Sequence, residues 1–184
     1  MFKKITVEDT VRVPPDRFGE PLEEVIVDLL NKNYLGITDK DAGTVLAITD
    51  VKQIGEGRII MGDGASYHDV VFEALVYKPE LNEVVLGEII DIVDFGAFVR
   101  IGPLDALIHV SQVMDDFVGY DRKKRVLLGK EKKLSLKEGD KVRARIVSVG
   151  VKKGKSRKIG LTMRQPGLGK LEWLEEQIKK GESS

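Results

Sequence analysis

One stretch of the chain repeats its apolar residues at helical spacing while its surroundings alternate by two. Leu22, Val25, Ile26, Leu29 and Leu30 fall on a single stripe of period 3.6, and Pro21 stands where a first helical turn tolerates proline. Glu20, Glu23 and Glu24 put negative charge at the positive end of the helix dipole. The spacing predicts a helix that closes before Gly36. Upstream, Ile5 and Val7, then Val11 and Val13, mark a strand over residues 2–13 that Pro14-Pro15 stops. Downstream, residues 43–54, 57–61 and 69–78 read as strands separated by Gly55-Glu56-Gly57 and Gly62-Asp63-Gly64. One amphipathic helix among these strands implies a small antiparallel sheet folded over it, an α+β domain. Val70-Val71-Phe72 and Ala74-Leu75-Val76 are apolar on both parities, so a second sheet face that needs a cover is expected.

At Lys78-Pro79-Glu80 the pattern changes, which places a domain boundary near residue 80 and a first domain over 1–80. From there residues 83–93, 95–101, 104–109, 140–150 and 157–163 read as five short strands broken by glycines. That spacing fits a small, closed, all-β barrel over 81–166. A tail over 167–184 carries a short amphipathic helix built on Leu171, Trp173 and Leu174.

The formal charge of the 184 residues is zero, with 30 Lys+Arg against 30 Asp+Glu. This is a cancellation, because residues 1–81 hold 9 basic and 15 acidic groups and residues 82–184 hold 21 and 15. Within the second half, residues 122–164 carry 17 basic and 3 acidic groups. Apolar runs fall far short of the roughly 20 residues that span a bilayer, so no membrane helix is expected. No leader pattern opens the chain, and the absence of cysteine removes disulfides, thiolate nucleophiles and Cys-type metal sites. A cytoplasmic location is the natural expectation.

Strings that resemble catalytic motifs fail on context. Gly150 to Ser156 looks like a phosphate-binding loop, but it is one residue short and lies between strands rather than before a helix. Asp94-Phe95-Gly96 lacks every companion of the kinase magnesium motif. His68 and His109 lie in different domains, and of two readings of Asp115-Asp116, a divalent-ion site and a solvated helix cap, the cap is the stronger. No catalytic residue, cofactor or metal site is expected.

The barrel half carries more specific patterns. Val85-x-Gly87-x-Ile89, Asp94 to Val99, Leu107-Ile108-His109-Val110-Ser111, Gly139-Asp140-x-Val142-x-Ala144 and Ile159-Gly160-Leu161-Thr162 resemble, in order and approximate spacing, the S1 RNA-binding domain. The resemblance implies an OB-fold barrel that holds single-stranded RNA. Gly96 frees the backbone beside Phe95, so Phe95 and Phe98 need not alternate in direction and can flank His109 as a platform for base stacking. Lys158 matches the basic residue that precedes the last S1 strand, whereas Gly150 stands where S1 domains carry an acid. Two basic segments add to the pattern: Arg122, Lys123, Lys124 and Arg125, followed by Lys130, Lys132 and Lys133, lie between the third and fourth strands. Lys152, Lys153, Lys155, Arg157 and Lys158 lie between the fourth and fifth. A phosphate track beside the platform accounts for their excess and their position.

The N-terminal half narrows the reading. Pro14-x-x-x-Phe18-Gly19, Ile54-Gly55-x-Gly57-x-Ile59, Gly62-Asp63-Gly64, Val71-Phe72-x-Ala74-Leu75-Val76-Tyr77-x-Pro79, Ser111 to Asp116 and Leu161 to Lys170 together resemble the E-prime subunit family of archaeal DNA-dependent RNA polymerase, counterpart of the seventh subunit of eukaryotic RNA polymerase II. The resemblance runs nearly end to end. It implies a non-catalytic stalk subunit that forms a heterodimer with the small helical F subunit of RNA polymerase. It further implies docking on the polymerase core by the N-terminal tip, and an S1 domain that meets nascent single-stranded RNA. The implied docking loops hold Phe18 and Gly19, then Gly55, Glu56, Gly57, Gly62, Asp63 and Gly64. The rival reading is a free-standing S1 protein of translation or RNA decay, which has no need of the N-terminal domain and its Gly-Asp-Gly loop.

Overall fold

The computed structural model describes residues 1–150 and 158–181. The chain divides into two compact units, Met1–Lys78 and the remainder from Pro79. The tail belongs to the second unit rather than standing apart.

In the first unit, β1 (Phe2–Val13) leads through a turn to α1 (Leu22–Tyr34), followed by β2 (Thr38–Asp39), β3 (Gly43–Ile54), β4 (Arg58–Ile59) and β5 (Ser66–Tyr77). The sheet runs β1-β5-β3-β2, with β4 also on β5, and every pairing is antiparallel. Its centre is β5, whose Val70, Phe72, Ala74 and Val76 are buried under Val25, Ile26 and Leu30 of the helix. Leu22, on the expected stripe, lies at its exposed margin. Three bulges interrupt β3, between Val45 and Ala47, Ile48 and Asp50, and Val51 and Gln53. Each adds a residue on one strand, so Val45, Ile48, Val51 and Ile54 all reach the helix side at a spacing of three. The segment expected over 57–61 is a strand only at Arg58–Ile59.

The opposite sheet face differs from the expected apolar one. Val71 and Leu75 are half-buried there, but β1 and β3 surround them with charge. Glu73 pairs with Lys4 and Lys52, and Lys52 with Asp50 at 2.6 Å. Asp69 accepts from Thr10 at 2.7 Å and pairs with Arg58. The pattern of β5 alone overstates the apolar character, because its neighbours in register are Lys4, Thr6, Glu8 and Thr10.

In the second unit β6 (Val84–Val93), β7 (Gly96–Ile101), β8 (Leu104–His109), β12 (Lys141–Gly150) and β13 (Lys158–Thr162) form the barrel. The order β13-β8-β7-β6-β12 closes when β13 pairs back onto β12. The closing β8–β13 contact is parallel, with Gly160 opposite Leu107 and Leu161 opposite Ile108. Ile89, Val99, Ile101, Ile108, Ile146 and Leu161 fill the interior. Gly96 permits the β7–β8 approach, since a Cβ there would lie 2.1 Å from the carbonyl oxygen of Ile108.

The excursion between β8 and β12 is an ordered sheet of its own. Its strands β9 (Val118–Asp121), β10 (Val126–Gly129) and β11 (Ser135–Leu136) pair antiparallel. Leu127 and Leu136 are fully buried in the barrel's own core cluster, so the sheet is part of the barrel's packing. The tail adds β14 (Gly169–Lys170) to the edge of β12 and then α2 (Leu171–Gly181), whose Trp173 packs on the same core. Among the described residues no helix is long and apolar enough to cross a membrane.

An ion pair fastens that tail. The buried Lys170 ammonium lies 3.0 Å from the buried Asp140 and 2.6 Å from Glu172, while Asp140 also accepts the Lys137 N–H at 2.8 Å. Burial pulls the Lys170 pKa down, but the bonds to Glu172 and Asp140 outweigh it and the group stays charged. Lys170→Met strands a buried carboxylate and is expected to destabilise the barrel by about 3 kcal/mol. Asp140→Asn in the same chain, which keeps an acceptor for Lys137, should recover most of that loss. Urea unfolding measures both, and a single-variant loss near zero would mean that the pair does not anchor the tail.

Candidate nucleic-acid interface

The outer surface of β7 and β8 carries the expected aromatic residues. Phe98 is opposite Leu107 and Gly96 opposite His109, so Phe98, Leu107 and His109 share the face that points away from the core. Phe95 lies in the preceding turn, where its carbonyl accepts the Val110 N–H at 2.9 Å. Its ring is 47% exposed and meets the half-buried Phe98 edge-on, with centroids 6.2 Å apart. The two rings, with Pro103, Leu104, Leu107 and Lys158, line an apolar groove of about 700 Å³. His109 is exposed at the end of the same face rather than in the groove. Its Nδ1 accepts the Ser111 N–H at 3.3 Å and lies 2.8 Å from the Ser111 hydroxyl, which leaves Nε2 as the donor of the neutral ring.

Two basic segments adjoin this groove. Arg122, Lys123, Lys124 and Arg125 form the exposed turn between β9 and β10, shaped by Asp121, whose carboxylate accepts the N–H groups of Lys123 and Lys124 at 2.9 and 3.2 Å. Arg125 reaches to 4.0 Å from Asp91, and Asp91 is the register partner of Phe98. That contact brings the turn close to the aromatic groove. On the other side, Lys158, the register partner of Gly150, lines the groove. Lys152, Lys153, Lys155 and Arg157 lie outside the described residues; Lys158 is exposed at the start of β13.

The acidic pair Asp115 and Asp116 is engaged by the protein itself. Asp115 binds Arg164 at 2.7 Å, and Asp116 accepts the N–H groups of Glu131 and Lys132 at 3.0 and 2.9 Å.

In the first unit the expected docking loops converge. A Cβ on Gly64 would touch the Pro15 ring at 3.5 Å, which sets the Gly62–Gly64 loop against the turn that carries Phe18 and Gly19. The Gly55–Gly57 loop is propped by buried His68, whose ring nitrogens lie 3.0 Å from the Gly55 carbonyl and the Ser66 hydroxyl. A Cβ on Gly57 would clash with that ring at 2.8 Å. Glu56 is exposed, but Asp63 is turned inward. Its carboxylate receives Arg12 at 2.7 and 2.8 Å, the Tyr67 hydroxyl at 2.6 Å and the Ala65 N–H at 3.2 Å. The Arg12 bonds first, then Tyr67, hold it far below the usual carboxylate range. Asp63 shapes the loop instead of presenting itself to a partner. What the loop presents is apolar: Ile59, Ile60 and Met61 are exposed, Met61 completely, and Phe18 on the first turn is half exposed. By sequence this triplet reads as a strand end; three consecutive apolar residues between two glycine pairs are the signal that sets it apart.

Comparison with known proteins agrees with the two halves. Residues 8–64 match the SHS2 domain found in the N terminus of Rpb7p/Rpc25p/MJ0397, and residues 78–152 match the S1 RNA binding domain. DNA-directed RNA polymerase subunit Rpo7 of Sulfolobus acidocaldarius is 42% identical over 98% of this chain and 98% of its own length. The Rpo7 subunit of Saccharolobus solfataricus is 44% identical over 97% of this chain and 100% of its own. DNA-directed RNA polymerase III subunit rpc8 of Schizosaccharomyces pombe is 30% identical over 63% of this chain and 57% of its own length. With an S1 barrel behind an SHS2 domain and near end-to-end similarity to these subunits, the chain belongs to the Rpo7 family of DNA-directed RNA polymerase subunits.

Proposed function

We propose that this chain is a non-catalytic stalk subunit that docks on the polymerase core through its tip, pairs with the F subunit, and holds nascent single-stranded RNA on its S1 barrel. The observation that carries the RNA reading is the adjacency of two unlike surfaces. The apolar Phe95–Phe98 groove offers rings for bases, and the Arg122–Arg125 turn close to it offers cations for phosphates. Stacking on an aromatic ring contributes roughly 1–3 kcal/mol per base and tolerates any sequence. Phosphate contacts add affinity that salt removes. Together they suit a transcript whose sequence changes from gene to gene.

The docking reading rests on the tip. Its first turn lies against the Gly62–Gly64 loop, and Asp63, held by Arg12 and Tyr67, fixes that loop while Ile59, Ile60 and Met61 stand exposed beside it. Burying an apolar side chain of this size contributes about 1.5–3 kcal/mol. Such a triplet fits an apolar recess on the core, and the acidic balance of this half suits basic surroundings there. The F subunit is the partner that the family resemblance implies.

Reversing the charges of Arg122, Lys123, Lys124 and Arg125 should weaken RNA of any sequence and flatten the plot of log affinity against log salt by about 0.7 for each phosphate no longer neutralised. Phe98→Ala should lower affinity about tenfold at unchanged slope. Fluorescence anisotropy over a salt series reads both, and unaltered binding in the two variants would exclude the barrel face as the RNA site. Ile60→Asp with Met61→Asp should abolish co-purification with the polymerase core while RNA affinity stays the same. Retained co-purification would remove the tip from the docking surface.

A further inference from the structure

The excursion displays an aromatic ring that lies outside the Phe95–Phe98 groove. The Phe117 side chain is 76% exposed, yet its backbone is held on both sides. Its carbonyl accepts the Lys130 N–H at 2.9 Å, and its own N–H is bonded to the Asp116 carboxylate, which also gathers the N–H groups of Glu131 and Lys132. The ring is therefore presented from a fixed position. It walls a groove of about 490 Å³ together with Val110, Ser111, Val118 and Arg164. Val110 and Ser111 directly follow His109, and the Ser111 hydroxyl lies 2.8 Å from the His109 ring. The groove thus opens where the outer face of β8 ends.

Charge on the groove wall is mixed, with Asp115, Asp116 and Glu131 beside Arg164. Asp115 and Asp116 line it, and both are held below the usual carboxylate range, Asp115 by its bonds to Arg164 and Asp116 first by the Lys132 N–H. They stay ionised, are engaged by Arg164 and by backbone N–H groups, and repel phosphate. Lys130, Lys132 and Lys133 stand exposed on the turn between β10 and β11. A nucleotide fits this arrangement in one orientation, with its base on the Phe117 ring and its phosphate turned away from the carboxylates toward the lysines. The charged, solvated rim is less suited to an apolar protein surface.

We propose that Phe117 is a second stacking position for single-stranded RNA, so that a strand held over Phe95 and Phe98 continues past His109 and places a further base on the Phe117 ring. This rests on the barrel face binding RNA, and it extends the path onto the three-stranded sheet.

The test uses the full chain and labelled RNA oligonucleotides of roughly four to sixteen nucleotides, the range of single OB-fold sites. Phe117→Ala should weaken the longest oligonucleotide about tenfold, leave the shortest unchanged, and keep the salt slope of the unaltered chain. Phe117→Trp should keep the affinity and show fluorescence quenching with long but not short RNA. Equal long-RNA affinity for the unaltered chain and Phe117→Ala would overturn the proposal. So would a Phe117→Ala chain that binds RNA normally but fails to hold a polymerase partner, since the ring would then belong to a protein interface. Phe98→Ala separates the two levels. If it weakens RNA and Phe117→Ala does not, only the second position falls; if neither does, the barrel reading falls with it.

Discussion

Closure of the barrel by β13 is the contact on which the second unit's surface depends. Gly160 opposite Leu107 and Leu161 opposite Ile108 join the last strand to β8 in parallel, while the same strand pairs antiparallel with β12. Without that double pairing β8 would be an open edge, and Lys158 would not stand beside Phe98 and Leu104 in one groove. The excursion is bound to the same core through Leu127 and Leu136, which keeps its cationic turn at a set place rather than on a solvated loop.

The two units divide the chain's charge in a way that whole-chain neutrality conceals. In the first unit Glu73, Asp69 and Asp63 each meet a Lys or Arg. In the second unit basic side chains outnumber acidic ones around the β9–β10 turn, and that turn stands beside the aromatic rings. Exposed ion pairs contribute little to stability. Their effect in the first unit is geometric: the Arg12–Asp63–Tyr67 cluster holds the loop beside which Met61 stands exposed.

Much of this fold is legible from side-chain period alone. The helix stripe, the strand before Pro14, the boundary near Pro79 and the five barrel strands all follow local rules, and the structure has them. What is not legible depends on non-local pairing. The apolar residues of β3 recur every three positions, which fits no unbroken strand until its three bulges against β5 are seen. The segment from Val118 to Leu136 reads as a lysine-rich loop, because its apolar pairs are short and their burial comes from the barrel core. The second face of the first sheet reads as apolar from β5 alone, without the polar residues that β1 sets beside it. In the candidate site, Phe95 and Phe98 can be named from their place around Gly96, and Ile59 to Met61 carry a signal only in their glycine-flanked apolar run, but Phe117 cannot be named, since exposure of a lone apolar residue has no sequence signature of its own.

The central claim is that the transcript lies on one continuous face of the barrel, between Phe95 and the turns of the excursion. Photo-crosslinking maps this directly: a polymerase assembled with this chain is stalled with thiouridine-bearing nascent RNA, irradiated, and digested for mass spectrometry. The account predicts crosslinks on peptides that span residues 95–109 and 117–133, with none on the first unit. Crosslinks confined to residues 1–78, or absent from this chain while other subunits react, would contradict it.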